Sequence, residues 1–346
     1  MASNLESEIY QQPAVLQRFL DEKAEGVARL AETIRADAPR FFVIAARGTS
    51  DNAATYAKYI FSAINGIPVA LAMPSLYTLY NRPPNMHGGW VIGISQSGQS
   101  PDIQAVLEEA RRQNVPTLTI TNAADSPLAE VADHVISLAA GEEKSVAASK
   151  TYTAELMAIA TLAAYLKGEQ KLVAELERVS SHAETVLQEA PAVAGIARRF
   201  YQHDQLVVVS RGFNYCTTFE IALKIKELAY IAAQAYSSAD FLHGPIALLE
   251  KGFPVLAVAC AGMAQDKMRE LIDELRPLAV EQALITNDEA LLESTSGAVR
   301  LPAGVPEWLS PIISVIPGQL LALNLAIERG FDPDNPRGLR KVTLTI

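Results

Sequence analysis

The sequence predicts an α/β protein made of two tandem doubly wound domains, each a mostly parallel sheet flanked by helices. Three observations carry that prediction. Residues 91–102, VIGISQSGQSPD, recur as residues 255–266, VLAVACAGMAQD, a shift of 164 that sets Gly98 on Gly262 and Asp102 on Asp266. Ala46-Arg47-Gly48 recurs at the same shift as Ser210-Arg211-Gly212, and Thr121-Asn122 recurs 165 residues on as Thr286-Asn287. Each half alternates short apolar runs with helical patterns, which is the signature of parallel βαβ units. A period this long indicates a duplicated domain rather than a solenoid, whose units span about 20–50 residues.

The elements follow in order. Residues 5–37 form one or two amphipathic helices. Phe41–Ala46 is a buried strand, and a helix follows over Asp51–Ile64 with Ser50 or Asp51 as its N-cap. Val69–Met73, Trp90–Ser95, Thr117–Thr121 and His134–Leu138 complete the first sheet. A helix covers 148–167, and Glu169–Ala190 is a polar helical connector. The second sheet uses Leu206–Ser210, Val255–Ala259, Ala283–Thr286 and Ala298–Leu301, with helices over Tyr215–Ala232, Ala264–Leu275 and Ser310–Glu328. The expected division is amino-terminal helices over 1–40, a first domain over 41–168, a connector over 169–195, a second domain over 196–330 and a tail over 331–346 that closes the site.

Composition narrows the function. The 346 residues are 49% hydrophobic, enough for two well-filled cores. The net charge of −10 argues against nucleic acid or an acidic membrane as partner, and leaves any phosphate ligand dependent on local donors. Cys216 and Cys260 form no CxxC and no metal spacing, so buried free thiols and a reducing, cytoplasmic setting are expected. The polar, acidic start MASNLESEIYQQP is unlike a signal peptide, and the longest strongly apolar stretch, taken as Leu156–Leu166, is too short to span a bilayer. Neither a metal nor a cofactor is implied, because no cluster of His, Cys and carboxylates has ligand spacing.

Three segments carry chemistry. Ser95, Gln96, Ser97 and Ser100 form a hydroxyl-rich turn between a buried strand and a helix start, suited to an oxyanion such as phosphate. Thr49 and Ser50 approach from the first strand's turn, also beyond the carboxyl ends of the strands. In the second copy Ser95, Gln96 and Ser97 become Ala259, Cys260 and Ala261, so one copy alone is equipped. Glu220, Lys224 and Glu227 share one face of an otherwise apolar helix, where buried carboxylates are costly unless used. His243, in a turn before Gly244-Pro245, suits acid–base work near neutral pH. His134 reads as a strand-edge residue, His182 and His203 as exposed, and His87 as part of a Gly-rich loop. The tail Asp332–Lys341 is polar but ends in an apolar alternation that needs docking, which would hold Lys341 inside a site.

With these residues assembled, the chain resembles the sugar-isomerase (SIS) superfamily, and within it the isomerase half of the glutamine–fructose-6-phosphate aminotransferases. The resemblance runs from about residue 25 to the last residue. It rests on Arg47–Ser50, the SQSGQS loop, Glu143–Lys150 (EKSVAASK), the ALKIKE helix, His243–Pro245 and the DNPRGLRKVT tail. It implies that Thr49 and the Ser95–Ser100 loop hold a sugar phosphate. It implies that Glu227 moves a proton between C1 and C2, that His243 opens the sugar ring from the partner subunit of a homodimer, and that Lys341 forms an imine with the open-chain ketose. Glu220, Lys224, Glu143 and Val146 match further site positions.

The departures bear on the substrate. No glutaminase domain is expected, and residue 2 is Ala where those enzymes carry the cysteine that releases ammonia. Arg47 replaces a Cys, Ala148 replaces a site serine, Ala239–Leu242 replaces a more polar run, and Pro101 follows the phosphate loop. The expectation is therefore an enzyme acting on an amino-sugar 6-phosphate, with glucosamine 6-phosphate isomerised and deaminated to fructose 6-phosphate and ammonia. The alternatives are a fructosamine-6-phosphate deglycase, a synthase-like aminotransferase, or a non-catalytic sugar-phosphate sensor.

Overall fold

A computed structural model describes residues 2–295 and 297–342. The chain divides into two compact units that interleave in sequence. The first comprises Ala14–Glu143, Lys150–Arg178 and Arg340–Ile346, and the second comprises Met1–Pro13, Lys144–Ser149 and Val179–Leu339.

The first unit is built on five strands: β1 (Phe41–Ala45), β2 (Val69–Leu71), β3 (Gly89–Ile94), β4 (Thr117–Thr121) and β5 (His134–Ser137). They pair in the order β2-β1-β3-β4-β5, and every pairing is parallel. β3 and β4 are buried along their whole length, as continuous apolar runs in a sheet covered on both faces must be. The helix after β1 runs Gly48–Ile60 rather than Asp51–Ile64, with Arg47 at the N-cap position. Ser50 thus lies inside its first turn. A short π-helical turn, Phe61–Asn65, then closes at Gly66 in the left-handed conformation.

The second unit repeats the plan with β6 (Gln205–Ser210), β7 (Ala232–Ser237), β8 (Pro254–Ala259), β9 (Glu281–Thr286) and β10 (Ala298–Arg300). The order β10-β9-β8-β6-β7 is that of the first sheet read from its other edge, again all parallel. β7 is absent from the sequence expectation, which runs the preceding helix to Ala232. That helix stops at Ala229, because Tyr230 adopts the left-handed conformation at φ 56° and reverses the chain without a glycine.

The most apolar helix of this unit is Ser310–Glu328, which corrects the reading of Leu156–Leu166 as the longest such stretch. With the turn before it, it is 22 residues, long and apolar enough to cross a bilayer, and 89% of its most apolar window is buried. Pro311, Pro317 and Gly318 interrupt the run in sequence. A helix apolar on all sides is a core helix when other elements enclose it. The contact with Tyr215–Ala229 is tight at one point: a Cβ on Gly318 would lie 2.2 Å from Ile221 Cγ1. Gly318→Ala is expected to destabilise the protein by about 1–3 kcal/mol through overpacking, measured as a fall in the denaturant midpoint. An unchanged midpoint would show that the two helices can part freely.

The β9–β10 connection carries a second internal anchor. Asp288 accepts from Ala290 N at the start of Glu289–Ser294 and from Arg269 Nε at 2.6 Å and Nη2 at 3.0 Å. The hydrogen bonds from Arg269 outweigh the opposing effect of burial and hold its carboxyl down at about 2 against an ordinary 3.8. A depressed carboxylate stabilises the fold above its unfolded value and ceases to do so as pH falls through its folded value. The contribution, about 2 kcal/mol, is therefore whole above pH ~4 and lost on going down towards about 2. Unfolding curves of wild type and Asp288→Asn should differ at pH 6 and converge as the pH is lowered through 3. A constant gap would place the anchor elsewhere.

Candidate active site

In a 2-1-3-4-5 sheet the strand order reverses between β1 and β3, and ligands bind outside the carboxyl ends of the strands at that switch point. β1 and β3 are hydrogen-bonded neighbours, with Ala45 opposite Gly93. The turn 46–49 and the loop 95–100 therefore leave adjacent strands at the same end of the sheet.

The loop is shaped by its own polar groups. Ser95 Oγ accepts from Gly98 N at 3.1 Å, and Ser97 Oγ accepts from Gln99 N at 3.3 Å. The Gln96 carbonyl accepts from Asn122 N at 3.2 Å, which ties the loop to the end of β4. Gly98 is required twice over: its φ is 62°, and a Cβ there would lie 1.9 Å from Ser126 Oγ. Ser100 occupies the N-cap position of the helix Pro101–Arg112, yet its hydroxyl makes no capping bond. A serine present only as a cap would make one, as Ser126 does to Ala129 N. Thr49 is half-buried at the neighbouring turn. Ser50 is buried and its hydroxyl donates to Glu155 at 2.7 Å, so that hydroxyl is already committed. Between the two turns Arg47 Nε meets Asp102 Oδ2 at 2.6 Å, and Asp102 lies in the first turn of the helix that the loop opens.

The other end of the first unit's site segments meets at Glu143. Its carboxylate is fully buried and accepts from Thr151 N at 3.1 Å, Thr151 Oγ1 at 2.8 Å and Lys341 Nζ at 2.7 Å. The tail is thus docked at Lys341. Residues 343–346 of its apolar alternation lie outside the described residues. Earlier in the tail, within the second unit, Asp334 accepts from Asn4 N and Leu5 N at 2.8 and 3.0 Å. The Arg337 guanidinium stacks 3.6 Å over the Tyr230 ring, a cation–π contact.

In the second unit the helix Tyr215–Ala229 buries an ion cluster. Lys224 Nζ lies 2.6 Å from Glu227 Oε2 and 3.5 Å from Glu220 Oε1, and side-chain exposures are 2%, 22% and 0% in the order Lys224, Glu227, Glu220. The cation is enclosed, and Glu227 is the carboxylate that reaches solvent. His243 sits exposed on the turn after the short helix Ser238–Leu242. Val146 is half-buried in the segment 144–149, which Glu8 holds: its buried carboxylate accepts from the backbone N–H groups of Lys144 and Ser145 and from Ser145 Oγ. His134, at the edge-strand position expected of it, stacks on Trp90 with ring centroids 5.4 Å apart. His182 and His203 are half-buried rather than exposed.

The second copy of the loop is occupied by the chain itself. Glu307 Oε2 accepts from Met263 N at 2.7 Å and Oε1 from Ala264 N at 3.2 Å. Ala261 N donates to Asn287 Oδ1 at 2.7 Å. A Cβ on Gly262 would lie 2.3 Å from Glu307 Oε2. The N–H donors that define an anion nest are present, and an internal carboxylate fills them. Sequence reasoning missed Glu307, Glu8 and Glu155, whose partners lie 44, 137 and 105 residues away. It noted Arg47 and Asp102 but not their pairing.

A family model described as the SIS domain matches residues 36–165 and 199–329. The glutamine–fructose-6-phosphate aminotransferase [isomerizing] of Gloeobacter violaceus is 36% identical over 353 aligned positions, which take in 96% of this chain and 57% of that protein. Its counterpart in Thermus thermophilus is 34% identical with the same coverage. The chain spans a little over half the length of these relatives. Among solved structures, a putative phosphosugar isomerase from Silicibacter pomeroyi matches with TM-score 0.87 and 31% identity, covering 96% of this chain and all of that one. The C-terminal domain of the glucosamine-fructose-6-phosphate aminotransferase from Francisella tularensis matches with TM-score 0.87 and 28% identity, covering 97% and 98% of the two chains.

Proposed function

Since the chain belongs to the SIS-domain family of phosphosugar isomerases, we propose that it acts on an amino-sugar 6-phosphate, isomerising and deaminating glucosamine 6-phosphate to fructose 6-phosphate and ammonia. The observation that carries this reading is the buried Glu220–Lys224–Glu227 cluster. Two charges taken out of water, with a third at the solvent edge of the same helix face, are a poor way to stabilise a fold. They suit a site that must aim one carboxylate. Lys224 fixes the Glu227 carboxylate through a 2.6 Å charge-assisted hydrogen bond, and Glu227 alone of the three is open to a ligand's carbon acid.

The chemistry follows from the residue types. The Ser95–Ser100 loop holds the phosphate through backbone N–H groups and hydroxyls. His243, donated within a homodimer, serves ring opening to the free aldehyde. Glu227 takes the proton from C2 and returns it to C1 while a proton passes from the amine to O1, which converts the C2 amine to a C2 imine and the C1 carbonyl to an alcohol. Water adds to that imine, C2 becomes a carbonyl, and ammonia leaves. Lys341, held by Glu143, can exchange with the imine as an amine of the protein and so release ammonia before hydrolysis. The deaminating direction consumes only substrate and water. The half-buried small residues Ala148 and Ala239 favour a second reading in which the departing amine is larger, as in a fructosamine 6-phosphate.

The test is ammonia release from glucosamine 6-phosphate, coupled to detection of fructose 6-phosphate in stoichiometric amount. Turnover of fructosamine 6-phosphate alone would replace the deaminase with the deglycase. A folded enzyme that turns over neither substrate would sink both readings.

A further inference from the structure

We propose that Arg47 is a ligand for the phosphate group, presented to the Ser95–Ser100 loop by its ion pair with buried Asp102; the inference rests on the phosphosugar reading above and assigns that site its cation.

The chain bears a net charge of −10, so no general positive field draws in a dianion. The loop supplies hydroxyls and N–H groups, and the first turn of its helix carries Asp102, a carboxylate 1% exposed. An unneutralised anion there would oppose a phosphate two residues away in sequence. Arg47 removes that opposition. Its Nε is 2.6 Å from Asp102 Oδ2, while half of the side chain stays exposed to solvent. A guanidinium has five N–H donors in a planar fork, so one bond through Nε leaves the Nη groups to meet a second oxyanion. The carboxyl of Asp51 is raised above its usual range by burial, and the nearby Arg47 guanidinium acts in the opposite sense.

The duplication supplies an internal comparison. Arg211 occupies the equivalent turn with nearly the same backbone, φ −146° and ψ 154° against −142° and 155° for Arg47. Its loop is filled by Glu307, and the counterpart of Asp102, Asp266, has a side chain 87% exposed that faces Arg269 at 3.6 Å. The arginine is pinned to the loop helix in the copy whose loop, among the described residues, carries no carboxylate like Glu307. In the copy that holds its own anion, the described residues show no such pairing.

The experiment measures inorganic phosphate binding by calorimetry, and KM and kcat for glucosamine 6-phosphate, in wild type, Arg47→Met and the double variant Arg47→Met/Asp102→Asn. The double variant guards against a fold weakened by a buried carboxylate that has lost its arginine. Both variants should bind phosphate about 10–100-fold more weakly, the range of one charge-assisted contact. KM should rise by a similar factor with kcat within about threefold, and the double variant should regain thermal stability without regaining phosphate affinity. Phosphate affinity within twofold of wild type in either folded variant would overturn the proposal and leave Arg47 as a structural partner of Asp102. So would a wild type that binds no phosphate. Arg47-dependent phosphate binding in a protein that turns over neither amino-sugar substrate would instead sink the enzymatic reading and leave this one standing.

Discussion

Glu227→Gln should lower kcat for glucosamine 6-phosphate by about 10²–10⁴-fold, the usual worth of a positioned general base. The amide is isosteric and can still accept from Lys224, so the 2.6 Å geometry at Nζ survives while the ability to take a carbon-bound proton does not. KM and the affinity for inorganic phosphate should change by less than about threefold, because the phosphate loop is built from other residues. Steady-state kinetics beside phosphate calorimetry separates the two effects. A variant that keeps a tenth or more of wild-type turnover would remove Glu227 from the proton path. A loss confined to KM would make it a binding residue.

Lys224→Met should be the most destabilising single change at the candidate site. Glu220 is fully buried and Lys224 is its cation at 3.5 Å, with Glu227 on the other side at 2.6 Å. Removing one member of a buried ion group typically costs about 3–5 kcal/mol. The midpoint of denaturation should fall accordingly, and turnover should fall with it because Glu227 loses its orienting contact. Combining Glu220→Leu with Lys224→Leu distinguishes fold from function: apolar replacement of a buried pair can restore much of the stability, yet activity should stay lost. A double variant that recovered activity would show that the cluster serves packing alone.

The parts of this fold that could be read in advance are those where local pattern and global fold agree. β4 was legible to the residue, because Thr117–Thr121 is a continuous β-branched and apolar run between turns. β7 was not: Ala232–Ser237 is rich in alanine, lies at a sheet edge and is only partly buried, so neither propensity nor hydrophobicity marks it. The repeat itself held the missing signal, since the shift of 164 carries Val69–Leu71 of β2 onto residues 233–235. The helix start at Gly48 was misjudged because Ser50 resembles an N-cap, whereas its hydroxyl is spent on Glu155 across the sequence. At the site, the residue types and short-range spacings were legible: the i, i+3 and i+4 pairs of Lys224, and the hydroxyls of the loop. What makes them a structure was not, because Lys341 and Glu143 meet across 198 residues, and no local rule specifies such a pair.

Glu307 has a consequence for how a duplicated domain loses a ligand. A loop whose backbone amides point outward keeps those donors even where it has no hydroxyls, and they remain a place for a carboxylate. In the carboxyl-terminal copy they hold a counter-ion from the chain itself, Glu307, seated on Met263 N and Ala264 N. Restoring serines at Ala259 and Ala261 would therefore not recreate a second phosphosugar site. The tenant would have to be evicted first.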